Sequence, residues 1–211
     1  MTWPVDPAVL PAFVAAMVLV ELTPGPNMGY LAALSAERGR AAGFAAVLGV
    51  TLGLSLYLLA TLFGLTELLL AWPPAYEILR WAGVGYLLWL AFEAWRGADA
   101  GAAAQDPQPG SLARLVGRGF LANILNPKAM LFYVTLLPAF IRPGFAATAW
   151  QIALFGIAHL MVSLAVHGLI VLGSARAGAL ASRAAGSKAT RRTMAIGIAL
   201  IAAWLAWSTR R

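Results

Sequence analysis

Two proline-interrupted stretches lie inside long apolar runs: TPGPN at residues 23–27 and NPK at residues 126–128. Proline has no N–H, and its ring clashes with the carbonyl four residues back, so it costs a helix interior about 3 kcal/mol. In a bilayer such a break bares backbone groups that lipid cannot satisfy. It survives only where protein or a wet cavity surrounds it. Two interrupted segments at corresponding places in two halves of a chain point to a solute site near the membrane midplane.

The runs themselves set the class. Of 211 residues, 61% are hydrophobic and 11% charged, with a mean hydropathy of +0.79. Soluble domains carry about 25% charged residues, and this chain lacks the polar surface to solvate a core of this size. The expected fold is an all-α polytopic membrane protein of about six transmembrane helices. The segments fall at 7–36, 42–70, 77–96, 114–141, 148–173 and 193–208, the first and fourth being broken by proline. The N-terminal stretch has no basic n-region and no cleavage motif, so it reads as a first span. Trp72, Trp81, Trp150 and Trp207 fit interfacial belts.

The net charge of +7 does not imply nucleic acid, because the basic residues sit at the ends of apolar runs and not in a stripe among aromatics. Ten of them (Arg38, Arg40, Arg96, Arg114, Arg118, Arg176, Arg183, Lys188, Arg191 and Arg192) fall on one side if every segment crosses. Only Arg80, Arg142, Arg210 and Arg211 fall on the other. The richer side is expected in the cytoplasm, with both termini outward.

A polar stretch from Gly97 to Ser111 divides the chain. The expected organisation is a three-helix repeat at 1–96, a flexible cytoplasmic loop at 97–113 and a second three-helix repeat at 114–211. A shift of 101 residues superposes Pro26 on Pro127 and the GFAA of 43–46 on that of 144–147. With three spans per half the repeat would be inverted, an arrangement that supports alternating access. The rival reading is membrane composition without duplication.

The breaks carry the candidate site. Asn126 is a good N-cap, and Pro127 suits a first helical position. Thr23, Pro24, Gly25, Pro26 and Asn27 have similar grammar, Gly25 giving the backbone freedom. A half-helix start presents free N–H groups and partial positive charge, which suit a carboxylate. Lys128 is the one lysine within the apolar runs. It could pair with a substrate carboxylate or with Glu21, or snorkel to the interface. Glu21, just before the first break, is the candidate for proton coupling, against a purely structural role. His159, Ser163 and His167 share one helical face and could line a path, or serve as core residues. The spacings of Gly39 with Gly43, and of Gly49 with Gly53, read as close helix packing. Glu93 and Arg96 read as a surface pair.

Several chemistries are excluded. No cysteine is present, which removes disulfides and thiolate metal sites. Two histidines make a poor metal site, so neither metal nor cofactor is expected. No hydrolase elbow, zinc-protease motif or Walker A loop occurs. The chain therefore reads as neither an enzyme nor an ATP-driven pump.

At these residues the chain resembles the LysE/RhtB amino-acid exporter family. The resemblance runs through LTPGPN at 22–27, RGRAAG at 38–43 with Gly49 and Gly53, WAGVGYL at 81–87, and GFLANILNPKA at 119–129 continuing into Phe132, Leu137 and Pro138. It implies a multi-pass protein of the bacterial cytoplasmic membrane that exports amino acids or derivatives, driven by the proton or ion gradient. The partners implied are a small-molecule amino-acid substrate and membrane lipid. Assembly into a homo-oligomer is left open. Relatives often carry an acid after the glycine pair of the second span and Asp at the place of Asn27. Here Leu54 and Ser55 follow Gly53, so a neutral substrate (threonine, homoserine or a branched-chain residue) fits better than a cationic one. The alternative is an exporter or channel for another small solute or an inorganic ion.

Overall fold

The computed structural model describes residues 3–23, 25–64, 72, 74–99 and 111–185, with residues 192, 193, 195–197, 199, 200 and 203. Every described element is helical. In chain order they are α1 (Leu10–Leu22), α2 (Pro26–Leu62), α3 (Pro74–Asp99), α4 (Leu112–Ile124), α5 (Pro127–Leu131) and α6 (Thr148–Ala185). A 3-10 turn at Pro7–Val9 leads into α1. A π turn at Phe132–Leu136 and a 3-10 turn at Pro138–Phe140 follow α5. The widened turn has a local cause: the Pro138 ring displaces the carbonyl four residues back, and Leu137 N–H bonds instead to Phe132 O, five residues back, at 2.8 Å.

By length and composition α2 and α6 can each cross a membrane, and α4 with Pro127–Phe140 makes a third, broken span bent by 56°. Gly39 changes the reading of α2. Its φ of 79° and ψ of −176° lie in a region open essentially to glycine alone, and the helix folds back there. A Cβ placed on Gly43 would collide with Ser35 Oγ and with Val171. Those two positions would stand about 12 Å apart along a straight helix. Residues 26–38 therefore complete the segment begun by α1, and residues 40–62 form a separate span. The reversal needs only this one residue. The expectation that Gly39 serves close packing is corrected, since a Cβ there would meet nothing within 4 Å.

Gly43, Gly49 and Gly53 do pack closely. A Cβ on Gly49 would meet the backbone of Val116 and Phe120, and one on Gly119 the backbone of Ala46. The second limb of α2 thus lies against α4 at near-backbone distance, the two running parallel. The limb also crosses α6 in the antiparallel sense, Leu58 against Gly156 and Gly43 against Val171. These directions put Arg40, Arg114 and Arg176 at one end of the bundle. Ala146 N–H bonds to Pro4 O at the other end, at 3.2 Å.

Two apolar clusters fill the interior. One joins Phe13 and Met17 of α1 to Leu54, Tyr133 and Phe155, and the other joins Leu31 and Leu34 to Ala46, Val47 and Val171. The outward faces are also apolar: Leu48, Leu52, Leu56 and Leu59 on α2, and Leu154, Ile157, Met161 and Leu164 on α6 are exposed. The buried set, by contrast, includes Glu21, Asn27, Asn123, Asn126, Gln151, His159, Ser163 and His167. An apolar exterior around polar groups is the distribution a bilayer demands.

Some boundaries differ from expectation. Helix α6 continues twelve residues past the predicted end at 173, through SARAGALASRAA. Alanine and arginine are strong helix formers whether or not lipid surrounds them, and Ala175 is buried, with Gly178 against the Ala36 carbonyl. Helix α3 likewise takes in Gly97–Asp99 of the predicted loop, while residues 100–110 lie outside the described residues. The sixth predicted span, with Trp207, lies mostly outside them too, as do the side chains of Glu93 and Arg96. Trp72, Trp81 and Trp150 are exposed.

Candidate functional site

The first break ends α1 at Thr23, whose N–H and hydroxyl both bond to Leu19 O, at 3.0 and 2.7 Å. Gly25 then caps α2 in an extended conformation, φ −157°. That angle is open to any residue, so its role is not the backbone freedom expected of it. Nor is space the reason for glycine here, since a Cβ would lie 3.4 Å from Lys128 Cδ, an ordinary van der Waals contact. Pro24 lies outside the described residues.

The second break follows the expected grammar. Asn126 caps α5, its Oδ1 accepting from Lys128 N–H at 3.0 Å, with Pro127 at the first helical position. Across the bundle, Tyr57 donates its hydroxyl to Ile124 O at 2.8 Å, and Asn123 Nδ2 donates to Val50 O at 3.1 Å.

The two breaks meet through Lys128. Its Nζ donates to Thr23 O at 2.8 Å, 105 residues away. Neither partner expected from sequence is the one it bonds: the ammonium satisfies the carbonyl freed where α1 stops. A small cavity opens beside it, lined by Glu21, Gly25, Asn27, Asn126, Lys128, Phe132, His159, Ser163 and His167 among others. Its volume, about 20 Å³, holds a water and excludes an amino acid. Asn27 is buried, and its Oδ1 has no hydrogen-bond partner.

Glu21 joins the histidines to this site. Its Oε1 lies 2.9 Å from His159 Nε2 and its Oε2 3.8 Å from His167 Nε2. His159 Nδ1 in turn lies 3.2 Å from the Tyr133 hydroxyl, and His167 Nδ1 lies 3.1 Å from Ser163 Oγ. Phe132 stacks on the His159 ring at 3.7 Å between centroids, and Tyr133 stacks on Tyr57 at 6.0 Å. Every described residue singled out from the sequence for binding, coupling or path lining thus lies in or next to this cluster. Tyr57, Tyr133 and Phe132 were not foreseen as site residues. Aromatic residues in an apolar run carry no signal until the fold sets them against a polar group.

Gln151, also unforeseen, secures the far end. Its amide donates to Arg142 O and Ala146 O at 2.8 and 2.7 Å, and its Oε1 accepts from Arg142 N–H at 3.1 Å.

A helical bundle with a lipid-compatible exterior, a buried polar interior and two half-helix breaks meeting at one cavity defines a polytopic membrane transport protein. The chain belongs to the LysE type translocator family, whose sequence profile matches residues 18–209. It is accordingly an exporter of the bacterial cytoplasmic membrane and not an enzyme. The homoserine/homoserine lactone efflux protein of Salmonella typhimurium is 32% identical over 155 residues, covering 74% of this chain and 75% of that protein. An uncharacterized membrane protein of Pseudomonas aeruginosa is 34% identical over 139 residues, 64% of each chain. One of Vibrio cholerae is 28% identical over 132 residues, covering 63% of this chain and 64% of that one. No solved structure matches.

Proposed function

We propose that the protein is a secondary transporter that exports neutral amino acids or their close derivatives, driven by the proton or ion gradient. The observation that carries this is Lys128, an ammonium held on a backbone carbonyl where the two breaks meet, beside a cavity that also contains Glu21. A substrate carboxylate is a stronger acceptor for that ammonium than a neutral carbonyl. The first free N–H groups of α2, at Asn27 and Met28, would complete the anion site. The unpartnered Asn27 Oδ1 suits the substrate's own ammonium.

The size of the cavity supports alternating access. A pocket for one water must widen before an amino acid binds, and two inverted three-helix halves moving about the breaks would open it to one side at a time. Glu21 is the group proposed to take the coupling proton. Among the described residues it is the one carboxylate lining the cavity, which favours a neutral substrate over a cationic one and over an inorganic cation, whose carriers use several carboxylates at one depth. Efflux of homoserine by the Salmonella relative, as its name states, agrees with that class.

The test is efflux from proteoliposomes loaded with labelled homoserine, threonine, leucine or lysine, with and without an imposed pH gradient. Neutral amino acids should leave faster than lysine, and the gradient should accelerate them. If none moves above the protein-free control, the reading fails.

A further inference from the structure

We propose that His159 and His167 are the two ends of a proton path through Glu21, so that the coupling proton enters the carboxylate from one imidazole and leaves by the other. This rests on the transport reading above and adds residues and a direction to it.

The geometry is a linear one. His159 and His167 are eight residues apart on α6, about 12 Å along the helix axis, and Glu21 comes from the broken end of α1 to reach both. Its two oxygens are divided between them, Oε1 to His159 and Oε2 to His167. Both rings and the carboxylate are buried, and Glu21 is the titratable group that reaches toward both. Each ring is also held from behind, by Tyr133 and by Ser163. The charged and titratable groups facing the cluster are Lys128, from α5, lining the same cavity, Tyr133 from the π turn, and Tyr57 of α2 stacked on Tyr133.

The steps balance. With Glu21 ionised and His159 neutral, Nε2–H donates to Oε1 and Nδ1 accepts from the Tyr133 hydroxyl. A proton delivered to His159 makes both ring nitrogens donors, and the Tyr133 hydroxyl turns to accept. The ring then passes its Nε2 proton to Glu21. His167 is 3.8 Å away, beyond hydrogen-bond length, so the carboxyl must swing toward it before releasing the proton to Nε2. Glu21 is left ionised, as it began, and His159 is left as its Nδ1–H tautomer. His167 releases its Nδ1 proton toward Ser163 Oγ and is left as its Nε2–H tautomer. Each ring must turn over before the next proton passes. The unequal distances mean that the carboxylate is engaged with one ring at a time. A motion of the broken α1 end is what would exchange them, and this end is the one tied to Lys128.

The experiment compares two rates in proteoliposomes: homoserine efflux driven by a pH gradient, and homoserine exchange at equal concentration and pH. For His159→Gln and His167→Gln the ratio of driven to exchange rate should fall about a hundredfold, the scale on which a positioned proton-transfer group registers. Variants that keep the wild-type ratio would overturn the path. A purely structural role would lower both rates together and leave the ratio unmoved, and that result overturns the path as well. The chain holds two histidines in all, so ¹⁵N-histidine NMR of the unaltered protein reports both rings without substitution. At one fixed pH, Glu21→Gln should move the ¹⁵N Nε2 resonances of both rings, because both face that carboxylate. If Glu21→Gln leaves the Nε2 resonance of either ring unmoved, the proposal fails even where the histidine variants do not fold. If no amino acid exchanges at all, it is the transport reading that fails, and the NMR experiment still decides on the relay.

Discussion

The two proline breaks use the same grammar and are closed in different ways. At the second, Asn126 caps its own helix start, and the neutral phenol of Tyr57 takes up the Ile124 carbonyl. At the first, Gly25 offers no cap, and the Thr23 carbonyl depends on a flexible, charged side chain from the other half of the chain. A phenol on a carbonyl has little else to bond. An ammonium on a carbonyl exchanges it readily for a carboxylate. The second break is thus built to stay as it is, and the first to change partners, with Glu21 close upstream to register the change.

Four substitutions sharpen that contrast. Lys128→Ala should have the largest effect, cutting homoserine efflux about a hundredfold, the loss expected when a positioning group goes, while membrane insertion is retained. Normal efflux would remove Lys128 from the mechanism. Tyr57→Phe should cost about 1–3 kcal/mol by leaving a buried carbonyl unpaired, read as a lower unfolding midpoint in detergent, with efflux by the folded protein falling far less than in Lys128→Ala. Asn126→Ala should cost about 1 kcal/mol, the value of an N-cap, in the same unfolding assay. Gly25→Ala, at the matching cap, should cost about 0.5 kcal/mol or less, the N-cap preference for Gly over Ala being offset by the lower entropy of the unfolded chain, because neither its φ nor its surroundings forbid a Cβ. A larger loss there than at Asn126 would reverse the assignment of the rigid and mobile breaks.

How much of this was legible follows from the range of each interaction. Proline and the N-cap act within one turn, so both breaks and the half-helix after Asn126 could be read directly. The spacing of His159, Ser163 and His167 is local too, and their shared face was readable. Their partner on α1 was not, because 138 residues separate Glu21 from His159. The Lys128–Thr23 bond was hidden for the same reason. Gly39 shows a different failure: its spacing to Gly43 matches a packing motif, yet its positive φ makes it a reversal, and spacing cannot distinguish the two. The overrun of α6 was missed because hydropathy marks where lipid ends, and helix propensity does not stop there.

The bond from Lys128 to Thr23 also bears on biogenesis. When the first half of the chain has entered the membrane, the Thr23 carbonyl is bare, and its partner is 105 residues further along. At about 5–20 residues per second of synthesis, that interval lasts roughly 5–20 s. During it the early helices must shelter the exposed group with water, lipid headgroups or insertion machinery. The N-terminal half expressed alone never receives its lysine, and it should be cleared by membrane proteases unless the C-terminal half is supplied beside it.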